Sequence, residues 1–210
     1  MELNKKTEVA LKKLGDNEDK LYFRLTRRVK PSRRKLIMTE PYLDMTLVYY
    51  LKVGLTDEEF LMMDIKCETM RKWEIDFAKL KEIALKNTFK NNEPEIIRLD
   101  ELLSLYMDED SELDKQMYVI TNKSRNFGAT SLVYPGLLDS IYERLGGDYY
   151  ILPSSIHECI ALKVSDDLDP EMLRSLVRKI NYTEVAPEQI LSDNVYIYRR
   201  AAGCLSIDNL

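Results

Sequence analysis

Met117-Tyr-Val-Ile-Thr-Asn-Lys123 is β-branched or aromatic almost throughout, and its reading decides the fold of the second half of this 210-residue chain. Such side chains suit a pleated, half-buried surface, so the stretch predicts a strand. Ser124-Arg-Asn-Phe-Gly128 follows as a turn, and Ala129-Thr-Ser-Leu-Val-Tyr134 reads as the returning strand of a hairpin. Pro135 and Gly136 break that strand. Leu137, Leu138, Ile141 and Leu145 then share one side of a helical period, predicting a helix that stops at Gly146-Gly147.

Downstream the same grammar recurs. Asp148-Tyr-Tyr-Ile-Leu152 and Glu158-Cys-Ile-Ala-Leu-Lys-Val164 read as strands around the loop Pro153-Ser-Ser-Ile156. Asp169-Pro170 is a helix start, because the carboxylate can accept from free backbone donors and proline tolerates the first helical position. Leu173, Leu176, Val177 and Ile180 predict one buried stripe. Upstream lies a weaker copy: strands at Met45–Val53 and Phe60–Cys67, a turn at Gly54–Glu59, and a helix capped by Asp76 and lined by Phe77, Leu80, Ile83 and Ala84. The expected fold class is α+β, with repeated strand-strand-helix units forming a mainly antiparallel or mixed sheet and helices packed on one face. Internal duplication and recurrence of a common local arrangement both stay open.

Outside these copies, Lys5–Leu14 and Asp19–Val29 read as an N-terminal helical arm, the latter through Leu21, Leu25 and Val29, with Pro31 as its end. Residues 30–43 read as an exposed connection, Arg98–Tyr106 as a short helix, and acidic Asp108–Asp114 as a loop. The expected organisation is a basic arm at 1–40, a first α+β unit at 41–107 and a second part at 117–210, with 41–210 as one domain.

Composition narrows the class. With 45% hydrophobic and 32% charged residues, the chain reads as an ordinary globular protein. Its apolar runs are broken well short of the roughly 20 residues of a membrane span, and no basic-then-apolar leader opens it. The expected place is the cytoplasm, without a membrane partner. Three widely spaced cysteines, Cys67, Cys159 and Cys204, point to reduced thiols. They could join His157 as zinc ligands, but no C-x-x-C pair is present, so neither a metal nor a cofactor is expected.

Two loops concentrate polar chemistry. In Pro153-Ser-Ser-Ile-His-Glu-Cys159, hydroxyls, the chain's one imidazole, a carboxylate and a thiol lie together. A catalytic reading makes His157 the base, Ser154 or Ser155 the nucleophile, and Glu158 or Arg125 the support. The sequence lacks a G-x-S-x-G elbow, so no catalytic residue is assigned, and a turn whose serines satisfy local backbone groups is favoured. In Thr121–Gly128, Asn122, Lys123, Ser124, Arg125 and Asn126 could cradle an anion, although the spacing is not that of a phosphate loop.

The basic run Arg24–Lys35 is the third feature. Arg27, Arg28, Arg33 and Arg34 could release counterions from nucleic acid. A net charge of −5 favours a solvated face or a dock for an acidic partner instead.

Tyr118–Ala129, Tyr134–Leu138, Gly147–Glu158, Val185–Asp193 and Val195–Tyr198 together resemble a family from gut Firmicutes catalogued as a domain of unknown function and loosely labelled virulence-associated. The resemblance runs over about residues 19–200, and the chain looks like a member shortened at its N-terminus. It implies no activity, and it directs attention to Asn122, Ser124, Arg125, Gly128, Pro153, Ser154, Ser155, His157 and Glu158. The leading expectation is a non-enzymatic cytoplasmic binding or protein-interaction module whose loops 121–128 and 153–158 meet a partner protein or a small anionic ligand. The alternatives are a hydrolase or transferase built on His157, and nucleic-acid or phosphate binding through 24–35 in a phage or mobile-element context.

Overall fold

The computed structural model describes residues 13–54, 60–103 and 116–208. They form two compact units, one drawn from Met1–Tyr42 and Thr46–Asn91, the other from Leu43–Met45 and Asn92–Leu210. Both are α+β.

In the first unit a short 3-10 turn, Glu18–Lys20, leads into β1 (Leu21–Arg27). Next come α1 (Pro31–Arg34), β2 (Thr39–Tyr42), β3 (Met45–Gly54), β4 (Phe60–Asp64), α2 (Cys67–Trp73) and α3 (Phe77–Asn91). The sheet order is β1-β3-β2, with β4 also paired to β3 in an antiparallel register running from Tyr50↔Asp64 to Gly54↔Phe60. Central β3 is accordingly buried from Met45 through Leu51.

The helix expected at Asp19–Val29 is instead strand β1. Leu21 and Leu25 fit either period, but Phe23 between them is buried while Tyr22 and Arg24 face the other way, which is the alternation of a half-buried strand. Tertiary contacts settle the choice: Phe23 meets Tyr49 and Phe89, and its backbone N–H donates to the buried Thr88 hydroxyl of α3 at 3.1 Å. Pro31 does not end a helix. It opens α1, where its missing N–H costs nothing. Asp76 does cap α3, accepting from the Lys79 N–H at 2.8 Å. The segments expected at Lys5–Leu14, Gly54–Glu59 and Asp108–Asp114 lie wholly or largely outside the described residues.

On the far face of this sheet, Tyr22 stacks on Tyr50 and the Arg24 guanidinium lies 5.0 Å from the Tyr50 ring centre. Burial pushes the Tyr50 phenol up to about 12, with Arg24 opposing and Tyr22 adding.

The second unit contains β5 (Pro94–Arg98), α4 (Leu99–Leu103), β6 (Met117–Asn122), a 3-10 helix (Gly128–Val133) and α5 (Leu137–Leu145). It continues through β7 (Tyr149–Pro153), β8 (Cys159–Lys163), α6 (Pro170–Thr183), β9 (Tyr196–Arg199) and β10 (Cys204–Ile207). Its six strands run β10-β9-β7-β8-β6-β5, antiparallel throughout.

Here the hairpin expected after Met117–Lys123 is corrected. Ala129–Tyr134 is no strand; most of it forms the 3-10 helix, with Gly128 to Leu132 buried. Both edges of β6 are already occupied, by β5 and β8, so a returning strand has nowhere to pair. The later hairpin, β7 with β8, forms as expected, in register from Tyr149↔Lys163 to Pro153↔Cys159.

The expected placement of helices on one face also gives way in this unit. The Tyr149 hydroxyl donates to the Leu138 carbonyl and the Tyr198 hydroxyl to Asp139, so α5 lies on the face carrying Tyr149 and Tyr198. Tyr150, Leu152, Leu162 and Ile197, on the opposite face, pack with Leu173 and Val177 of α6. Asp169 caps α6 by accepting from the Glu171 N–H at 2.9 Å, and Pro170 takes the first helical position. The buried row of α6 is Leu173, Val177 and Asn181, whereas Leu176 and Ile180, expected in the stripe, are 47% and 38% exposed.

Asp44, grouped with this unit, accepts from the Tyr196 hydroxyl at 2.5 Å, the Ser192 hydroxyl at 2.8 Å and the Asn194 amide at 3.1 Å. Among the described residues, no helix is long and apolar enough to cross a membrane.

Two outcomes follow. Asp44→Ala strands three donors, and urea unfolding should show a loss of about 2–4 kcal/mol, given about 1–3 kcal/mol for each buried group left unsatisfied and partial recovery by water. Because the folded pKa of Tyr50 lies above the ordinary 10.0, the folded state holds that proton more tightly. Its contribution to stability is complete below about 10 and is lost as the pH rises towards about 12, which a phenolate absorbance titration followed alongside unfolding should register.

Candidate functional site

The two polar loops meet, and the structure shows how. Asn122, the last residue of β6, is 1% exposed and works as the hub of its own turn. Its side-chain oxygen accepts from the Ser124 hydroxyl at 2.9 Å and the Asn126 N–H at 3.3 Å, while its amide donates to the Asn126 carbonyl at 2.9 Å. The turn closes with the Arg125 N–H donating to the Asn122 carbonyl. This winding places Arg125 and Phe127 at φ of 51° and 52°, a left-handed conformation that costs a non-glycine residue about 1–2 kcal/mol.

The second loop docks against the first through backbone groups. Thr121 donates its hydroxyl to the His157 carbonyl at 2.9 Å, and the Ala129 N–H reaches the Ile156 carbonyl at 3.3 Å. The Phe127 N–H donates to Nδ1 of His157 at 3.3 Å, and the two rings stack with centres 5.7 Å apart. A ring nitrogen that accepts cannot carry the proton, so this contact places the proton of the neutral imidazole on Nε2. Ser155 accepts from the His157 backbone N–H at 3.0 Å, and the Ile156 N–H donates to the Gln189 carbonyl at 2.8 Å.

Gly128 lies where the loops cross. A Cβ there would sit 2.2 Å from the His157 carbonyl oxygen, 2.2 Å from Thr121 Oγ1 and 2.8 Å from Thr121 Cα. Two of these neighbours are backbone atoms, so the site cannot yield by moving a side chain.

The arrangement brings Asn122, Ser124, Asn126, Ser155 and His157 together as parts of one brace. It does not assemble the catalytic geometry. Nδ1 of His157 receives a backbone amide and the Ser155 oxygen receives another, so the hydrogen bonds shown do not join hydroxyl to imidazole. Ser154 and Glu158 are half-buried on the same loop, and Arg125 is exposed at the tip of its turn. Cys159, wholly buried, has its thiol pushed up by burial and then by Glu158, which suits a core side chain and not a nucleophile. Among the described residues, no three His, Cys, Asp or Glu side chains gather as metal ligands.

In the first unit, Arg27 ends β1 and Arg28 follows it, both exposed. Arg33 and Arg34 belong to α1. Arg33 binds Asp64 at 2.5 Å, the same carboxylate that Arg24 holds at 2.7 Å. Part of the basic run is thus committed within its own unit.

Sequence reasoning missed one surface feature. Met172, Leu176 and Ile180 of α6 are 70%, 47% and 38% exposed and follow one another at intervals of four, a ridge beside the buried row. The signal was present in the sequence: the apolar arc of this helix is wider than one sheet-facing stripe.

Gly128→Ala should cost about 1–3 kcal/mol, the usual penalty for overpacking, or more here because backbone must move. Chemical denaturation measures the loss, and amide exchange at Phe127 and Ala129 should quicken in step with it.

Comparison with known proteins agrees with the resemblance of the quoted segments. No curated protein and no solved structure matches the chain. A profile described as a family of unknown function, DUF5688, matches residues 4–200. With nearly the whole sequence inside that match, the chain belongs to the DUF5688 family.

Proposed function

We propose that this protein is a non-enzymatic interaction module of the cytoplasm that holds a partner protein along α6. The observation that carries the reading is the ridge of Met172, Leu176 and Ile180. Single exposed apolar side chains are ordinary on a protein surface, but three in a row on one helix mark a contiguous apolar strip. Exposed Lys179 follows Leu176 by three residues, a helical neighbour of the ridge, so the fitting partner presents an apolar seam flanked by a carboxylate.

The same helix is well anchored. Its other row, Leu173 and Val177, is buried against the sheet, and its start is capped by Asp169. A rigid helix presenting apolar side chains loses little conformational entropy on docking. The loops 121–128 and 153–158 support the reading in a different way, since their polar groups are spent on bracing one another rather than on a reaction.

The deciding experiment is affinity capture from the native host with the wild-type chain and with Leu176→Asp/Ile180→Asp, both verified as folded by circular dichroism. One stoichiometric protein partner should be retained by the wild type and weakened about a hundredfold or more in the double variant, since a central apolar anchor is worth roughly 2 kcal/mol or more. An unchanged set of partners, or nucleic acid as the dominant associate, would overturn the proposal.

A further inference from the structure

A second feature of the surface lies away from the polar loops. In the second unit, Gln116, Tyr118, Arg144, Leu145, Lys163, Val164 and Ser165 line a cavity of about 280 Å³. Three elements build it. Tyr118 belongs to β6 and Lys163 to β8, and the register pairing Tyr118 with Ala161 puts both side chains on the face that α5 covers. The last turn of α5 supplies Arg144 and Leu145.

Lys163 lies beside the helix end. Gly146 takes φ +68°, its N–H donating to the Tyr142 carbonyl at 2.8 Å, and the chain turns off the helix there. The Lys163 stem runs along the double glycine, with Cε 3.6 Å from where a Gly147 Cβ would be and Nζ 3.8 Å from that of Gly146. The missing glycine side chains leave room for the stem, and Lys163 lines the cavity.

What sets the cavity apart is that two cations line it together. Elsewhere in this unit Arg98 pairs with Asp100, Lys123 with Glu93, Arg174 with Glu171 and Arg200 with Glu143, while Arg125, Arg178, Lys179 and Arg199 stand singly on the surface. Among the described residues, Arg144 and Lys163 form no ion pair, and the lining contains no carboxylate. Arg144 gives one Nη1–H to the Ile96 carbonyl at 3.3 Å, which leaves most of its donor fork for other work. The carbonyls at the end of α5 favour nearby cations, Arg144 of its last turn and Lys163 alike, but do not account for the phenol, hydroxyl and amide that line the cavity with them. Asp166 and Asp167 follow Ser165 on the exposed turn, outside the lining.

We propose that this cavity binds a small oxyanion bearing two negative charges. Arg144 and Lys163 supply the countercharge, and Tyr118, Ser165 and Gln116 supply neutral hydrogen bonds. Leu145 offers a short apolar wall for the body of the molecule. The cavity lies at the lower limit of about 300–1,000 Å³ typical of small-molecule sites, so the ligand is a compact phosphate ester or dicarboxylate and not a nucleotide. This inference is independent of the partner proposed for α6.

Calorimetric titration of the full chain with inorganic phosphate, and separately with succinate, at matched ionic strength tests it. At least one anion should bind saturably, and the stronger of the two identifies a phosphate or a dicarboxylate ligand. Arg144→Gln and Lys163→Gln should each weaken that binding by roughly tenfold or more. Ser165→Ala, a milder change, should weaken it less. Lys123→Gln, which removes a cation already paired with Glu93, and Leu176→Asp/Ile180→Asp should bind as the wild type does. No saturable binding of either anion, or equal affinity in wild type, Arg144→Gln and Lys163→Gln, would overturn the proposal. So would an equal loss in Lys123→Gln, which would reduce the effect to bulk charge.

Discussion

A strand has two edges, and in the second unit both edges of β6 are taken, by β5 and β8. Much of the surrounding structure is a consequence. The chain leaving Asn122 cannot return as a neighbouring strand, so it must turn out of the sheet within a few residues. The buried Asn122 side chain supplies the hydrogen bonds for that turn, and Arg125 and Phe127 accept left-handed backbone to complete it. Small residues then allow the 3-10 helix to sit close on β6, where the Ser131 hydroxyl donates to the Thr121 carbonyl at 2.7 Å. From there the chain passes into α5 on one face of the sheet.

That turn also explains why so many polar side chains meet there. The loop before β8 needs a surface to rest on, and the turn after β6 provides it through backbone donors and acceptors. Histidine suits the position because its ring stacks on Phe127 while Nδ1 accepts the Phe127 N–H. Gly128 suits it because no other residue leaves room for the His157 carbonyl. Polar residues crowd the segment since buried backbone groups at a loop crossing must be paired, as unpaired ones cost about 1–3 kcal/mol each.

The surfaces left for recognition come from a different constraint, the mismatch between a helix and the sheet it covers. A helix turns about 100° per residue while a sheet presents one flat face, so an apolar arc as wide as that of α6 buries Leu173 and Val177 and leaves Leu176 and Ile180 on its shoulder. On the opposite face α5 ends at Gly146, beside Lys163, the last residue of β8. The cavity at Arg144 and Lys163 lies where the helix and β8 end together.

The sequence by itself determined the elements whose signals are local. The β7–β8 hairpin, α5 with its glycine stop, and α6 with its Asp169-Pro170 start were all legible, because caps, breakers and periodicity act over a few residues. The α+β class, with a mainly antiparallel or mixed sheet, followed from their order. What only the tertiary structure decided are the cases where local signals were equal or misleading. Leu21 and Leu25 suit a helix or a strand until Phe23 finds Tyr49 and Phe89, and Ala129–Tyr134 looks extended until the edges of β6 are known to be filled. The meeting of Arg144 with Lys163 was likewise illegible, since it depends on which strand lies beneath the end of which helix. Propensity is a property of neighbours in the chain, whereas strand pairing and helix docking depend on partners that sequence distance does not reveal.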